Sequence, residues 1–343
     1  MTIQEYLKEK TALLARAGID DAETEALLCF ETASGMNRAT IRFSAEKALA
    51  DCFPDDVVEK IDDVFSRRAS HEPLAYIVRK APFFDLEFAV GPGVLIPRFD
   101  TEILVETALG CLGFPQMLPG DPKLPIVMEI HTGKQCNTVT ELEKSGFFVQ
   151  GIVPMLVPDT TPVRPVRILD LCTGSGCVGI TIAHELQKKG VDFDLLMTDI
   201  SPEAAAYAKE NAKQILGDSD NKSGSRWRVE ITDLWPKDLS SKFDLIVSNP
   251  PYVTKDEMEE LAPEVRNHEP DLALTDGGDG LLMYRRIAEG LKEYLDPYGV
   301  IAVEHGCDQG EAVRKILNAA LGNESAMTIR DYGDKDRVTC GKR

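Results

Sequence analysis

Asn249-Pro250-Pro251-Tyr252 follows, after Ser248, on an apolar run, Phe243 to Val247. An amide side chain, two residues that cannot donate a backbone hydrogen bond, and an aromatic ring thus sit at the tip of a buried strand. The Asn249 side-chain oxygen can accept one N–H and the Pro250 carbonyl a second. Together they suit a flat amino group conjugated to a carbonyl or an aromatic ring. The lone pair of such a nitrogen is delocalised, so it is a poor nucleophile. Accepting both N–H bonds pushes charge onto nitrogen and fixes its direction. Pro251 stiffens the turn, and Tyr252 can stack on the flat group.

A second constellation lies upstream. Ile168-Leu169-Asp170-Leu171-Cys172-Thr173-Gly174-Ser175-Gly176-Cys177-Val178-Gly179 reads as a strand, a glycine-rich turn and a helix start. Gly174 and Gly176 allow a tight turn and a close backbone approach to a ligand. With Gly179 the stretch also matches the dinucleotide pattern G-x-G-x-x-G, a weak signal alone. Asp199 ends the next strand, where a carboxylate can accept both ribose hydroxyls of an adenosine. Asp233, followed by Leu234 and Trp235, ends a third strand where adenine would lie. Each Asp alone could simply cap a turn. In register with the glycine loop they mark one binding edge.

The elements that position these groups alternate from Arg167 onward. Strands are expected at Arg167–Leu171, Leu195–Thr198, Trp227–Ile231, Phe243–Ser248 and Val300–Glu304. Helices are expected at Val178–Lys188, Ser201–Leu216 and Gly280–Leu295, and a final hairpin at Met327–Arg330 and Arg337–Cys340. Such alternation means a doubly wound α/β sheet. The first ~70 residues read instead as a small helical bundle. Its third helix would open at Pro54-Asp55-Asp56, with Val57, Val58, Ile61, Val64 and Phe65 on its core face. Tyr76-Ile77-Val78, Phe83–Phe88 and Val94-Leu95-Ile96 read as short strands of a linking hairpin, and Thr101 to Leu112 as a helix. The expected domains are therefore 1–73, helical; 74–97, hairpin linker; and 98–343, α/β, with an insertion at about 113–165. That insertion carries strand-like 125–130 and 147–149 and a helix-like 139–144. Leaving from the amino end of the first α/β strand, it is expected to lie away from the binding edge. His131 and Cys136 within it are too few for a metal site.

The chain has 343 residues, 43% hydrophobic and 28% charged, enough to bury a sizeable core. Its net charge of −19 argues against reliance on nucleic-acid phosphates. The eight cysteines are scattered without a C-x-x-C pair, so neither zinc nor a disulfide framework is expected. The start is polar, and no apolar run reaches the ~20 residues that span a bilayer. A cytoplasmic location without membrane attachment is expected.

Asn-Pro-Pro-Tyr after a strand resembles the signature of methyltransferases that act on planar nitrogens. The resemblance to the HemK/PrmC family, the S-adenosylmethionine (SAM)-dependent glutamine-N5 methyltransferases of peptide-chain release factors, goes further. It includes Glu72-Pro73-Leu74-Ala75-Tyr76-Ile77 and Pro92-Gly93-Val94-Leu95-Ile96-Pro97-Arg98 with Thr101-Glu102. It continues through Pro263-Glu264-Val265, Glu269-Pro270, Gly277-Gly278-Asp279-Gly280, Glu304-His305-Gly306, Gln309-Gly310 and Asp331-Tyr332-Gly333-Asp334. Phe99-Asp100 departs mildly from the family's Pro-Glu, and the insertion is not a recognised family feature.

This resemblance implies a Rossmann-like class I SAM-dependent methyltransferase sheet, with an N-terminal helical-bundle domain joined by a β-hairpin. It implies SAM as cofactor, S-adenosylhomocysteine as product, and no metal. The cofactor residues would be Asp170, Thr173, Gly174, Ser175, Gly176, Asp199, Ile200, Asp233, Leu234, Trp235 and Asn249. Asn249, Pro250 and Tyr252 would be catalytic; Pro251, Arg98 and Glu102 would join them in binding substrate. The implied substrate is the glutamine of the Gly-Gly-Gln loop of class I release factors, held in part by the N-terminal helices. A monomer without direct nucleic-acid contact is expected. The residues alone also admit an adenine-N6 methyltransferase on DNA or RNA, a dehydrogenase, and a non-catalytic scaffold.

Overall fold

The computed structural model describes residues 1–113, 164–219, 224–237 and 242–343. The strands and helix expected inside the insertion, its placement, and His131 and Cys136 lie outside the described residues. The chain forms two units: Met1–Lys80 with Val90–Pro92 and Leu261–Glu269, and Ala81–Ala89 with Gly93–Glu260 and Pro270–Arg343.

The first unit is helical. α1 (Ile3–Arg16) starts at a capping box, Thr2 bonding the Glu5 amide while the Glu5 carboxylate takes the Thr2 amide. α2 (Ala22–Ser34) stops at left-handed Gly35, and α3 (Arg38–Phe43) is capped by Asn37. After α4 (Leu49–Cys52), α5 (Asp55–Ala69) opens behind Pro54 with two acids and closes with Arg67 and Arg68. Ile3, Leu14, Phe30, Ile61 and Phe65 pack together at the centre. Of the expected core face of α5, only Ile61 and Phe65 are fully buried.

α6 (Leu74–Val78) corrects one expectation. Tyr76-Ile77-Val78 has strand propensity but forms a helical turn. Left-handed Arg79 ends it at φ 60°, and Tyr76 is buried. Three residues of β-propensity do not outweigh that burial. The hairpin comes later, as β1 (Lys80–Phe83) and β2 (Leu86–Ala89), while Val94–Ile96 is irregular.

In the second unit α7 (Glu102–Cys111) precedes β3 (Val166–Leu171), α8 (Cys177–Lys188), β4 (Phe193–Asp199) and α9 (Pro202–Leu216). β5 (Arg226–Ile231) and β6 (Phe243–Ser248) follow. Two short helices come next, α10 (Pro263–His268, part of the first unit) and α11 (Asp271–Leu274). α12 (Leu282–Tyr294), β7 (Leu295–Glu304), α13 (Gly310–Leu321), β8 (Met327–Arg330) and β9 (Asp336–Lys342) complete the unit. The described strands of the main sheet run in the order β5-β4-β3-β6-β7-β9-β8. The first five are parallel, and β9 is antiparallel to both β7 and β8.

Alternate strand residues feed two cores, as the pleat requires. Ile168, Leu195 and Val247 pack with residues of α7, α8 and α9. Leu169, Leu171 and Ile246 pack with Tyr284 and Ile287 of α12 and Val313 and Leu317 of α13. Strand order reverses at β3. From there β4 and β5 extend one way, β6 and β7 the other. Ligands of open α/β sheets bind beyond the carboxyl ends of the strands at this reversal. The β3 end meets the β6 end there, Leu171 pairing with Ser248.

Candidate active site

The loop after β3 is fixed by its own backbone. Cys172, Gly174 and Gly176 all have left-handed φ, 55°, 57° and 83°. For Cys172 that conformation is strained, and such strain gathers at functional sites. A Cβ on Gly176 would stand 2.5 Å from Ile180 Cδ1. At Gly179 it would stand 2.8 Å from the Asp170 carboxylate, so the third glycine of the pattern lets α8 start against that acid. Asp170 is buried, and its Oδ2 accepts the Thr173 hydroxyl at 2.6 Å and the Gly179 amide at 3.0 Å. Burial pushes its pKa up to about 7 against the pull of those two bonds.

Asp199 ends β4 and ties two turns together. Its Oδ2 accepts the Gly174 amide and its Oδ1 the Ser201 amide, each at 2.9 Å. Burial raises its pKa, opposed by the Ser201, Gly174 and Ile200 amides. The capping role and the ligand role are compatible, since each oxygen keeps a further lone pair. Asp233, beyond β5, is largely exposed and pairs with Arg286 at 2.9 Å. Leu234 beside it is left-handed, at φ 71°.

Asn249 ends β6. Its Nδ2 donates to the buried Thr101 hydroxyl at 3.2 Å, and Oδ1 is left to accept. The turn that follows is held from a distance. The Tyr252 carbonyl accepts Gln309 Nε2 at 2.9 Å, and the Val253 amide bonds the Leu274 carbonyl at 2.8 Å. Gly280 passes so close that a Cβ would collide with the Tyr252 carbonyl. The Tyr252 hydroxyl donates to Glu304 Oε1 at 3.2 Å.

One cavity opens over these loops. It is lined by Arg98, Asp170, Thr173, Gly174, Ser175, Asp199, Ile200, Asp233, Leu234, Asn249 and Pro251 of the expected site residues. Gly176, Trp235, Pro250, Tyr252 and Glu102 lie outside that lining. Trp235 stacks on Tyr294 with centroids 4.4 Å apart. Glu102 accepts the Phe84 amide at 2.7 Å and so fastens the hairpin. Thr101, Met283 and Arg286 line the cavity without being among the site residues expected from the sequence. Thr101 stood one place from Glu102; the other two carry no local signal beyond a helical face. Among the described residues no group of three or more His, Cys, Asp or Glu could hold a metal ion.

Residues 5–78 match the PrmC N-terminal domain model, and residues 154–295 the methyltransferase small domain model. The release factor glutamine methyltransferase of Haemophilus influenzae is 32% identical to this chain, over 99% of this chain and 99% of its own length. The chain belongs to the release factor glutamine methyltransferase family. The family's member in Clostridium acetobutylicum is 35% identical over 82% of this chain and 79% of its own. A bifunctional methyltransferase of Rickettsia bellii is 33% identical over 92% of this chain, which spans 50% of that longer protein. The main sheet is thus a Rossmann-like class I SAM-dependent methyltransferase sheet, and the chain a SAM-dependent protein-glutamine methyltransferase.

Proposed function

We propose that the chain transfers a methyl group from SAM to the side-chain nitrogen of the glutamine in the Gly-Gly-Gln loop of class I release factors. The observation that carries this reading is the Asn249 amide. Its nitrogen is tied to Thr101, which leaves its oxygen to accept a substrate N–H at the edge of the cavity. The family relatives supply the substrate class and do not favour the adenine reading.

The residues present fit SAM. A Cβ at Gly174 would touch only Val94, at 3.9 Å, so the loop backbone faces open space where a ligand can press close. Asp199 offers carboxylate lone pairs to ribose hydroxyls. Ile200 and Leu234 offer apolar faces to adenine, with Asp233 at its rim. Asp170, Thr173, Ser175 and Gly176 shape the glycine loop, and Trp235, stacked on Tyr294, lies outside the cavity lining. When bound, SAM supplies an electrophilic sulfonium methyl.

The chain's own residues then act on the glutamine amide. Asn249 Oδ1 and the Pro250 carbonyl accept its two N–H bonds, which draws the nitrogen lone pair out of conjugation and aims it. Pro251 keeps the turn rigid, Tyr252 flanks the flat amide, and Arg98 stands at the cavity wall. Alignment and charge acceptance are the main sources of rate. The helical unit, within which the PrmC N-terminal model lies, would hold the body of the release factor. Among the described residues no helix is long and apolar enough to cross a membrane.

The test is methyl transfer from labelled SAM to a class I release factor, to that factor with its loop glutamine changed to alanine, and to duplex DNA. Label on the intact factor alone, lost with Asn249→Ala, supports the reading. Label on DNA would overturn the substrate.

A further inference from the structure

Behind the Asn249–Tyr252 turn, outside the cavity lining, lies a carboxyl that the mechanism above does not use. Glu304, at the end of β7, is buried. Its Oε1 accepts the Tyr252 hydroxyl at 3.2 Å. Its Oε2 is buried without a partner of hydrogen-bond geometry among the described residues. The Thr101 hydroxyl stands beside this carboxyl. Thr101 Oγ1 already accepts from Asn249 Nδ2, so its own proton must point to another acceptor, and a hydroxyl has one proton to give.

We infer that Glu304 is a positioning residue that sets the direction of a hydrogen-bond chain and thereby turns the Asn249 oxygen toward the substrate. As a carboxylate it only accepts. Thr101 therefore donates to it and presents a lone pair to Asn249. The Asn249 amide answers with its NH2 and faces the substrate with its oxygen. Reversing any member of the chain offers the substrate an N–H where it needs an acceptor. The inference rests on the proposed reading that Asn249 Oδ1 accepts a substrate N–H.

The chain has a built-in pH dependence. Burial pushes the Glu304 pKa up to about 7, while Thr101, Arg337 and Tyr252 pull it down and Asp100 raises it. Arg337, on β9, is itself shared with Asp331 at 3.0 Å and Asp100 at 3.4 Å. The Tyr284 hydroxyl, from α12, bonds the Glu304 backbone carbonyl, and adjacent His305 is occupied by Thr339 and its neighbour's carbonyl. Cys177, at the start of α8, is a thiol held neutral by burial. Below about pH 7 the Glu304 carboxyl gains a proton of its own to donate, and the direction of the chain is no longer fixed.

The experiment uses the full chain, labelled SAM and a release factor, with kcat, KM and SAM affinity measured from pH 5.5 to 9. Glu304→Gln is expected to lower kcat about 10- to 100-fold at pH 8 and to remove the acid limb near pH 7, with SAM affinity within about twofold of wild type. Thr101→Val should behave alike, and Thr101→Ser should restore most of the rate. Unchanged kcat and pH profile in Glu304→Gln, or equal rates for Thr101→Val and Thr101→Ser, would overturn the inference. The Thr101 pair decides the matter should Glu304→Gln not fold. Wild-type enzyme that leaves the release factor unlabelled would instead sink the substrate reading. The chain can then still be read from the Asn249 side-chain NH2 resonances. These should titrate near pH 7 in wild type but not in Glu304→Gln; no titration in wild type would overturn the inference.

Discussion

The two loops at the strand-order reversal are built in opposite ways. The loop after β3 is shaped mainly by its own residues, left-handed Cys172, Gly174 and Gly176 and the Asp170 carboxylate, with ties to Asp199 of β4 and Asn211 of α9. The loop after β6 has rigid prolines but is held by residues far away in sequence: Thr101, Gly280, Glu304 and Gln309. A loop shaped mainly by its own backbone suits a ligand that is the same at every turnover. A loop braced from several elements suits a group whose orientation must be exact at the reacting atom. Changes at the first loop should therefore appear in SAM affinity, and changes at the second in kcat.

The largest effect expected is from Asn249→Ala. Loss of one acceptor aimed at the reacting nitrogen should lower kcat about 10²- to 10³-fold while calorimetric SAM affinity stays near wild type. Equal losses in both would erase the contrast between the loops. Gly280→Ala comes next: left-handed backbone and the Tyr252 carbonyl both resist a Cβ, so kcat should fall at least about tenfold from a displaced turn. Asp199→Asn removes the charge that serves both the chain and the ribose. It should raise the SAM dissociation constant about tenfold and leave kcat at saturation nearly unchanged.

Asp170→Asn gives the smallest and most diagnostic effect. The native carboxyl holds its proton up to about pH 7, whereas the unfolded chain releases it near the ordinary carboxylate value. The native state binds more protons across that window, so this group makes stability fall as pH rises from about 4 to about 7. The variant should flatten that part of the melting-temperature profile. A profile identical to wild type would mean that the Asp170 pKa is not raised on folding.

The same contrast explains what could be read in advance. The β3 loop was legible because its determinants are neighbours: a strand, two glycines, a helix start and Gly179 within one short stretch. Asn249–Tyr252 was legible as chemistry but not as a braced structure. Nothing near Thr101 or Gln309 in sequence says that they meet that turn; only the folded sheet brings them there. Tyr252 shows the limit well. The sequence offers its ring to a flat group but says nothing of its hydroxyl, which is anchored on Glu304. Most strands of the main sheet were legible, since buried parallel strands are short apolar runs with clear stops. α13 was missed because it lacks a side-chain cap and starts at Gly310, although Val313 and Leu317 carry its apolar face. The Tyr76 turn was misread because so short a run takes its conformation from packing.

The position of β9 has a consequence for incomplete chains. Although last in sequence among the strands, it lies inside the sheet between β7 and β8, and its Val338–Lys342 backbone pairs with Val300–Glu304. A chain cut before β9 would leave β7 as a raw edge, with Val300, Ile301, Ala302 and Val303 already fully buried on its faces. Unpaired backbone beside apolar side chains is the template for strand-to-strand aggregation. Premature termination near the C-terminus would therefore yield an insoluble product to be cleared by proteolysis, not a weakened methyltransferase.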